Sequence, residues 1–247
     1  MKNGFSIIIS IILFVSCSKP SDCIESTGAS ITKDFEVASF NAIYVHKGIE
    51  MQIRQGNEFK VQVTTGENLI DDISVEVINN ELILRDNTTC NWVREFGQTK
   101  IFVTTPTVEF LEIHSRTERK ISSNGILTYP ILRLIAMDLE EGAGTNDFFI
   151  EVNNSQTVIE NNNVSRFYIS GLTNELLANF YDGNGRLLGE NLQAKNIKVF
   201  HRGSNDMIVK PTESITGKMV STGNIILKNV PPVVDVEELY QGRVIYP

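Results

Sequence analysis

This chain of 247 residues contains few of the residue types on which compact reactive sites depend. It has three cysteines, one tryptophan and three histidines, and His46, His114 and His201 lie far apart in the sequence. A structural zinc site needs about four Cys or His ligands at short spacing, and no histidine here accompanies a Ser or Cys in a nucleophile motif. The composition therefore predicts neither a metal site nor a bound cofactor.

Basic clusters and long apolar stretches are also missing. The net charge is −8, and Lys and Arg form no cluster of the kind that binds phosphate groups, so we expect no nucleic-acid partner. The longest apolar run, Phe5 to Val15, has 11 residues, whereas a membrane-spanning helix needs about 20. No helical periodicity extends beyond two turns, which predicts a chain made essentially of β-strands.

The first 16 residues have the pattern of an export signal. Lys2 supplies a positive charge, the run from Phe5 to Val15 supplies the apolar region, and Ser16 is the small residue before the cleavage point. Cleavage there makes Cys17 the first residue, and Phe14-Val15-Ser16-Cys17 resembles the lipobox of bacterial lipoproteins. That family usually has Leu at the position of Phe14, so an ordinary secretory signal is the alternative. If the lipobox is used, acyl chains on Cys17 anchor the protein in a membrane.

The remaining sequence divides into a spacer and one domain. Residues 17–34 are rich in Ser, Thr and Asp and read as a spacer next to the lipid. Residues 35–247 are predicted to form a single domain, with an N-terminal β region at 35–113 and a solenoid with its cap at 114–247. Export to an oxidising compartment makes Cys23 and Cys90 candidates for a disulfide, which would stabilise the fold by about 4 kcal/mol.

The N-terminal part of the domain alternates between apolar and polar residues. Such alternation is typical of half-buried strands joined by tight turns. Asn79-Asn80 separates two of these strands, and the tolerance of Asn for positive φ predicts a two-residue hairpin loop. The alternating apolar positions are Ile43, Val45, Ile49, Met51, Ile53, Phe59, Val61, Val63, Val75, Val77, Leu82, Leu84, Ile101 and Val103.

The second half of the chain repeats short apolar runs at nearly constant spacing. Runs beginning at Phe148, Phe167, Leu187, Met207 and Ile225 are separated by 19, 20, 20 and 18 residues. Two further series run parallel to this one, comprising Val158, Leu177 and Ile197, and Phe180, Phe200 and Val220. A period near 20 with polar corners predicts a solenoid in which each rung buries its apolar face against the next.

Gly and Asn recur at the corners between these runs, as in Asp182-Gly183-Asn184-Gly185. Both residue types accept left-handed backbone angles, so we interpret the corners as structural turns. Asp147, Asp182 and Asp206 lie at or near equivalent corners and could line one edge of the solenoid. A row of carboxylates can bind calcium or act as acid and base on a polysaccharide, although turn Asp residues also commonly cap their own backbone.

Two other residues are candidates for ligand contact. His201, next to Arg202 and Gly203, could meet an anionic sugar at the edge of a rung or could lie in a solvated turn. Trp92, in Cys90-Asn91-Trp92-Val93-Arg94, could stack on a sugar ring or cover the proposed disulfide.

Several segments together resemble the head GIN domain of auto-transporter adhesins, a domain of unknown function in exported proteins of Bacteroidetes. The resemblance extends from about Phe35 to the C terminus. At His114-Ser115-Arg116-Thr117 the chain departs from the Gly-Ser-Gly corners of that family. The segments that carry the resemblance are Phe40-Asn41-Ala42-Ile43, Lys47-Gly48-Ile49-Glu50-Met51-Gln52-Ile53, Glu67-Asn68-Leu69-Ile70, Asn80-Glu81-Leu82, Cys90-Asn91-Trp92-Val93-Arg94 and Ser221-Thr222-Gly223-Asn224-Ile225.

The resemblance implies an all-β fold with a parallel β-helix-like stack and a location in the cell envelope. With the repeat, it leads us to expect a right-handed solenoid of about 19 to 20 residues per rung, preceded by an antiparallel or mixed β region. We expect a non-enzymatic lipoprotein of the outer membrane that binds a glycan or protein, with its periplasmic or surface face left open. A polysaccharide-active enzyme and a structural envelope subunit are the alternatives.

Overall fold

The computed structural model describes residues 27–88, 99–137 and 145–247. This part of the chain forms seventeen β-strands and one 3₁₀ turn at Ile70–Asp72, and it contains no α-helix. The strands are β1 (Ser30–Glu36), β2 (Ala42–His46), β3 (Glu50–Gln55), β4 (Lys60–Gly66), β5 (Ile73–Ile78), β6 (Glu81–Asp86), β7 (Lys100–Thr105), β8 (Phe110–Arg116), β9 (Ile121–Ser123), β10 (Ile131–Ala136), β11 (Asp147–Asn161), β12 (Arg166–Phe180), β13 (Arg186–His201), β14 (Met207–Met219), β15 (Ile225–Leu227), β16 (Val233–Glu238) and β17 (Val244–Ile245).

The strands stack into two hydrogen-bonded faces. The first face has the order β1-β4-β7-β3-β9-β11-β12-β13-β14-β15-β17, and the second has the order β5-β6-β2-β8-β10-β11-β12-β13-β14-β16. The long strands β11 to β14 contribute to both faces. All pairings are parallel except β1 with β4, β4 with β7, and β5 with β6. The predicted all-β solenoid with a mixed β region before it is confirmed.

The principal apolar series forms one buried column through the stack. Phe148 pairs with Phe167, Phe167 with Leu187, Leu187 with Met207, and Met207 with Ile225. All five side chains are fully buried, at 0% exposure. The near-constant spacing in the sequence therefore arises because each rung places the same position above its predecessor.

The alternating N-terminal residues also point into this core, where Ile43, Met51 and Val61 are fully buried. Asn79 and Asn80 join β5 to β6 with φ angles of 52° and 65°, which confirms the predicted two-residue hairpin. β1 begins at Ser30, so its antiparallel pairing with β4 starts inside the range predicted as a spacer.

The N-terminal strands do not stack in the order of the sequence. β2 lies between β6 and β8 on the second face, and β3 lies between β7 and β9 on the first. The chain therefore completes the rung of β2 and β3, places the rung of β6 and β7 on one side of it, and returns to place β8 and β9 on the other.

A bulge in β13 shifts the register of the second face by one residue. Tyr168 pairs with Leu188, but Ser170 pairs with Asn191, so β13 has an extra residue there. As a result Phe180 pairs with His201, and Phe200 pairs with Asn179. The series Phe180, Phe200 and Val220 is therefore not a single column, because the inward position of this rung is occupied by His201.

Candidate active and binding surfaces of the solenoid

An outward column of apolar side chains runs along the first face. We call it the apolar ladder, and it is set by the same registers that align the buried column. Phe149 and Ile245 at its ends are 41% and 44% exposed, and the members between them are half-buried. The rings of Phe149 and Tyr168 stack at 4.5 Å, so they present their edges to solvent. The ladder consists of Phe149, Tyr168, Leu188, Ile208, Ile226 and Ile245.

A polar groove of about 460 Å³ follows the bend between the two faces. It crosses five successive rungs, and exposed amides of Asn153, Asn174 and Gln193 line it with the ammonium group of Lys195. Other groove residues hold the bend together, since Thr173 donates to the carbonyl of Glu175 at 3.1 Å. Amide and hydroxyl groups on a preformed groove can form hydrogen bonds with the hydroxyl groups of a glycan.

A charged cluster on the second face joins three rungs. Arg133 of β10 donates to Glu112 of β8 and to Glu160 of β11. His114 lies 2.8 Å from Glu112, and the hydroxyl of Tyr181 donates to Glu160 at 3.2 Å. Burial and the charge of Glu160 raise the pKa of Tyr181. Because one guanidinium group binds both carboxylates, this cluster holds rungs together and does not leave a free acid and base.

The carboxylates of the three corner aspartates accept hydrogen bonds from the backbone and from neighbouring side chains. Arg166 donates to both carboxylate oxygens of Asp147 at 2.6 and 2.8 Å. Asp182 accepts a hydrogen bond from the amide of Gly183 at 2.8 Å. Asp206 accepts hydrogen bonds from the backbone and side-chain nitrogens of Asn224, both at 3.0 Å.

The spacing of these carboxylates opposes a glycosidase-like mechanism. Asp147 and Asp206 share a column, but Arg166 and Arg186 lie between them. Three rungs at about 4.8 Å separate them by about 14 Å, whereas paired glycosidase carboxylates lie about 5 to 9.5 Å apart. Asp182 precedes Arg186 by four residues and lies in the corner, away from that column. Residues 27–88, 99–137 and 145–247 also contain no group of three or more His, Cys, Asp or Glu placed to hold a metal ion.

His201 lies in the core and not on the predicted ligand surface. Its side chain is 1% exposed, and its ring packs edge-on against Phe180 at 6.1 Å. Neither ring nitrogen has a hydrogen-bond partner among the described residues. Burial lowers the pKa of His201 below its ordinary value of 6.5, while the nearby backbone of Asn205 and the charge of Asp206 oppose this shift.

The buried neutral histidine predicts a pH-dependent stability. Because its folded pKa is below the unfolded value of 6.5, the unfolded chain binds the proton first as the pH falls. The stability of the folded protein is therefore complete above about pH 6.5 and declines below it, by up to about 1.4 kcal/mol per pH unit. His201→Leu should reduce this slope between pH 7 and 5 in urea unfolding experiments. Equal slopes in the variant and the wild type would contradict the assignment of this pH dependence to His201.

The other predicted site residues, Cys17, Cys23, Cys90 and Trp92, lie outside the described residues. The lipid anchor, the disulfide and the stacking role of Trp92 therefore remain predictions. No helix in the described part of the chain has the length and apolar character needed to cross a membrane.

The repeat, the mixed N-terminal β region and the two stacked faces agree with the comparison to known proteins. Residues 39–231 match the family described as "Putative auto-transporter adhesin, head GIN domain". The chain belongs to this family. The match covers both the threaded N-terminal strands and the regular rungs of the head GIN domain, and no curated protein matches the chain.

Solved structures share the fold of this head GIN domain at low sequence identity. A putative adhesin of Bacteroides fragilis is 20% identical, with a TM-score of 0.77 over 90% of this chain and 100% of that one. A putative adhesin of Parabacteroides distasonis is 16% identical, with a TM-score of 0.61 over 90% and 100%. A putative lipid binding protein of the same species is 13% identical, with a TM-score of 0.61 over 90% and 99%. At these identities the likeness concerns the fold alone.

Proposed function

We propose that this head GIN domain is a non-enzymatic binding module of the cell envelope, anchored to the outer membrane through Cys17, that binds a glycan or protein partner on its lateral surface. The polar groove across five rungs is the observation that carries the proposal. Stacked rungs hold its amides in place before binding, so little ordering cost opposes complex formation. Membership of an adhesin family supports the same role.

An enzyme acting on polysaccharides is the less favoured function. Asp147 and Asp206 are too far apart to act as a pair, and Arg166 already binds Asp147. The carboxylates of Glu112 and Glu160 share Arg133. Incubation with acidic and neutral glycans should therefore release no new reducing ends.

Binding to glycan arrays and envelope extracts tests the proposal directly. We expect the purified domain to bind a ligand at micromolar concentration, and Asn174→Ala with Gln193→Ala to weaken this binding by about tenfold or more. Each lost hydrogen bond contributes about 0.5 to 1.5 kcal/mol. Asn57, an exposed amide in the turn before β4, provides the matched control because Asn57→Ala leaves the groove intact.

Two outcomes would count against the groove. Absence of any ligand at micromolar concentration would contradict the binding function, and equal affinities for the groove variant and the wild type would place the ligand elsewhere.

The lipid anchor is tested separately, because Cys17→Ser should release the protein from the membrane fraction. Protease treatment of intact cells then distinguishes a surface location, where the domain is digested, from a periplasmic one.

A further inference from the structure

The apolar ladder is bordered by charges that change sign between its two central rungs. On the rung of Leu188, Arg186 lies on one side and Glu190 on the other. On the next rung, around Ile208, Asp206 takes the side of Arg186. Lys210 follows two residues after Ile208 but pairs with Gln193, beyond the irregular segment of β13 that contains Glu190. The charge that precedes the ladder therefore changes from positive to negative between these two rungs.

These four charges are not used in ion pairs within the described part of the chain. The Nε atom of Arg186 and the Oε2 atom of Glu190 are buried without a hydrogen-bond partner there. Buried polar groups without a partner are uncommon in proteins, and both side chains are half-buried beside the ladder. Apolar centres with charged borders are also the usual anatomy of protein interfaces.

We propose that the ladder binds a second copy of this chain, with the two solenoid axes antiparallel. A two-fold axis between the rungs of Leu188 and Ile208 places each of these rungs over the other in the partner copy. Arg186 then faces Asp206 of the partner copy.

The ends of the ladder are also complementary in this arrangement. Phe149 meets Ile245 and Tyr168 meets Ile226, so the aromatic side chains at one end of each ladder face the smaller aliphatic side chains of the other. Asp147 meets Arg243 at the border. A parallel two-fold arrangement would pair Arg186 with Glu190 but would bring Asp147 against Glu151 in place of Arg243, and like charges in contact oppose association.

The size of the surface predicts a weak dimer. Six rungs at about 4.8 Å and five residues at about 3.3 Å give roughly 470 Å² per copy, or roughly 900 Å² for the pair. Stable complexes usually bury more than about 1,200 Å², so an interface of this size is transient in dilute solution. Tethering raises the effective concentration to about 1 mM and favours association.

The antiparallel orientation of the two solenoid axes indicates which membranes carry the two copies. The chain enters the fold at β1, at the end of the stack opposite β16 and β17. An antiparallel dimer places the two entry points at opposite ends, which suits copies anchored on two facing membranes. This inference rests on the proposed function and identifies the protein partner as a second copy of the same protein on a neighbouring cell.

Sedimentation equilibrium of the exported chain, up to about 1 mM, tests the dimer. We expect a reversible monomer-dimer equilibrium that Leu188→Asp weakens by about a hundredfold or more, since it places charge at the apolar centre. Ile78→Asp is the matched control, because Ile78 is 47% exposed and lies on β5, outside both the ladder and the groove. A monomer at all concentrations, or equal effects of the two substitutions, would overturn the proposal.

Charge reversal tests the antiparallel direction without changing the apolar centre. Arg186→Glu and Asp206→Lys should each weaken the dimer by about tenfold, because each brings like charges together. The double variant should recover the wild-type affinity, since the pair is restored with opposite polarity. Further weakening in the double variant would overturn the antiparallel arrangement, because in a parallel dimer both new charges face residues of the same sign.

Beads coated through the N terminus test the facing-membrane arrangement. Wild-type beads should aggregate, and Leu188→Asp beads should not. Dispersed wild-type beads, together with a dimer in solution, would overturn this part of the proposal. A strictly monomeric protein that still binds a glycan or an envelope component would remove the second copy as partner and leave the proposed function in place.

Discussion

Replacing Gly171 with alanine should destabilise the folded protein by about 4 kcal/mol. Gly171 has a φ of +102°, and a Cβ atom there would lie 2.0 Å from the carbonyl oxygen of Val152 in the rung before it. Backbone strain at such an angle costs about 1 to 3 kcal/mol, and overpacking against a rung that cannot yield adds about 1 to 3 kcal/mol. Urea unfolding of the variant and the wild type measures the loss.

Gly125→Ala separates these two contributions. Gly125 has a similar φ of +89°, but no atom lies within 4 Å of the position that its Cβ would take. This variant should therefore lose only the strain, about 1 to 3 kcal/mol. Equal losses at the two positions would show that the rungs move apart to admit the methyl group.

Truncating Phe167 to alanine should cost about 3 to 5 kcal/mol. The side chain is fully buried, its ring stacks on Phe148 at 4.8 Å, and it lies 5.8 Å from the ring of Phe180. Loss of the ring leaves a cavity between two rungs, and each rung is stabilised mainly by its neighbours. Thermal and urea unfolding should both show the decrease.

Phe200→Ala is the matched control for this change. Phe200 points outward and is half-buried, so the same truncation should cost about 1 kcal/mol. The comparison also tests the β13 bulge. A loss at Phe200 as large as that at Phe167 would mean that Phe200, and not His201, occupies the inward column.

Much of the regular stack could be predicted from its spacing. Phe148, Phe167 and Leu187 mark equivalent inward positions because parallel rungs repeat each position at a nearly fixed interval. The hairpin at Asn79 and Asn80 was equally predictable, since few residues accept positive φ at two successive positions.

The bulge in β13 could not be predicted in the same way. One extra residue between Leu188 and Asn191 leaves the first face unchanged and shifts the second, so counting 20 residues from Phe180 reaches Phe200 and not His201. A bulge leaves no strong signal in one sequence, although Gly189 beside polar residues is compatible with one. The inward position of His201 could not be predicted for the same reason.

The candidate surfaces were only partly visible in the sequence. Asp147 and Asp206 were recognised as aligned, but the arginines of the two intervening rungs were not placed between them. The apolar ladder was contained in the repeated runs, as in Phe148-Phe149-Ile150. Three consecutive apolar residues do not reveal that the middle one points outward, because the alternation of a strand becomes visible only when its two faces differ in polarity.

The threading of the N-terminal strands separates the order of synthesis from the order of assembly. β2 and β3 precede both of their neighbouring rungs in the sequence, because β6 and β7 are complete only at Thr105, and β8 and β9 only at Ser123. At least one edge of this first rung therefore stays open until Ser123 and can pair with other chains. From β11 onward each new rung adds to an edge that is already present. The N-terminal end must therefore fold as one unit, while the later rungs can form one after another.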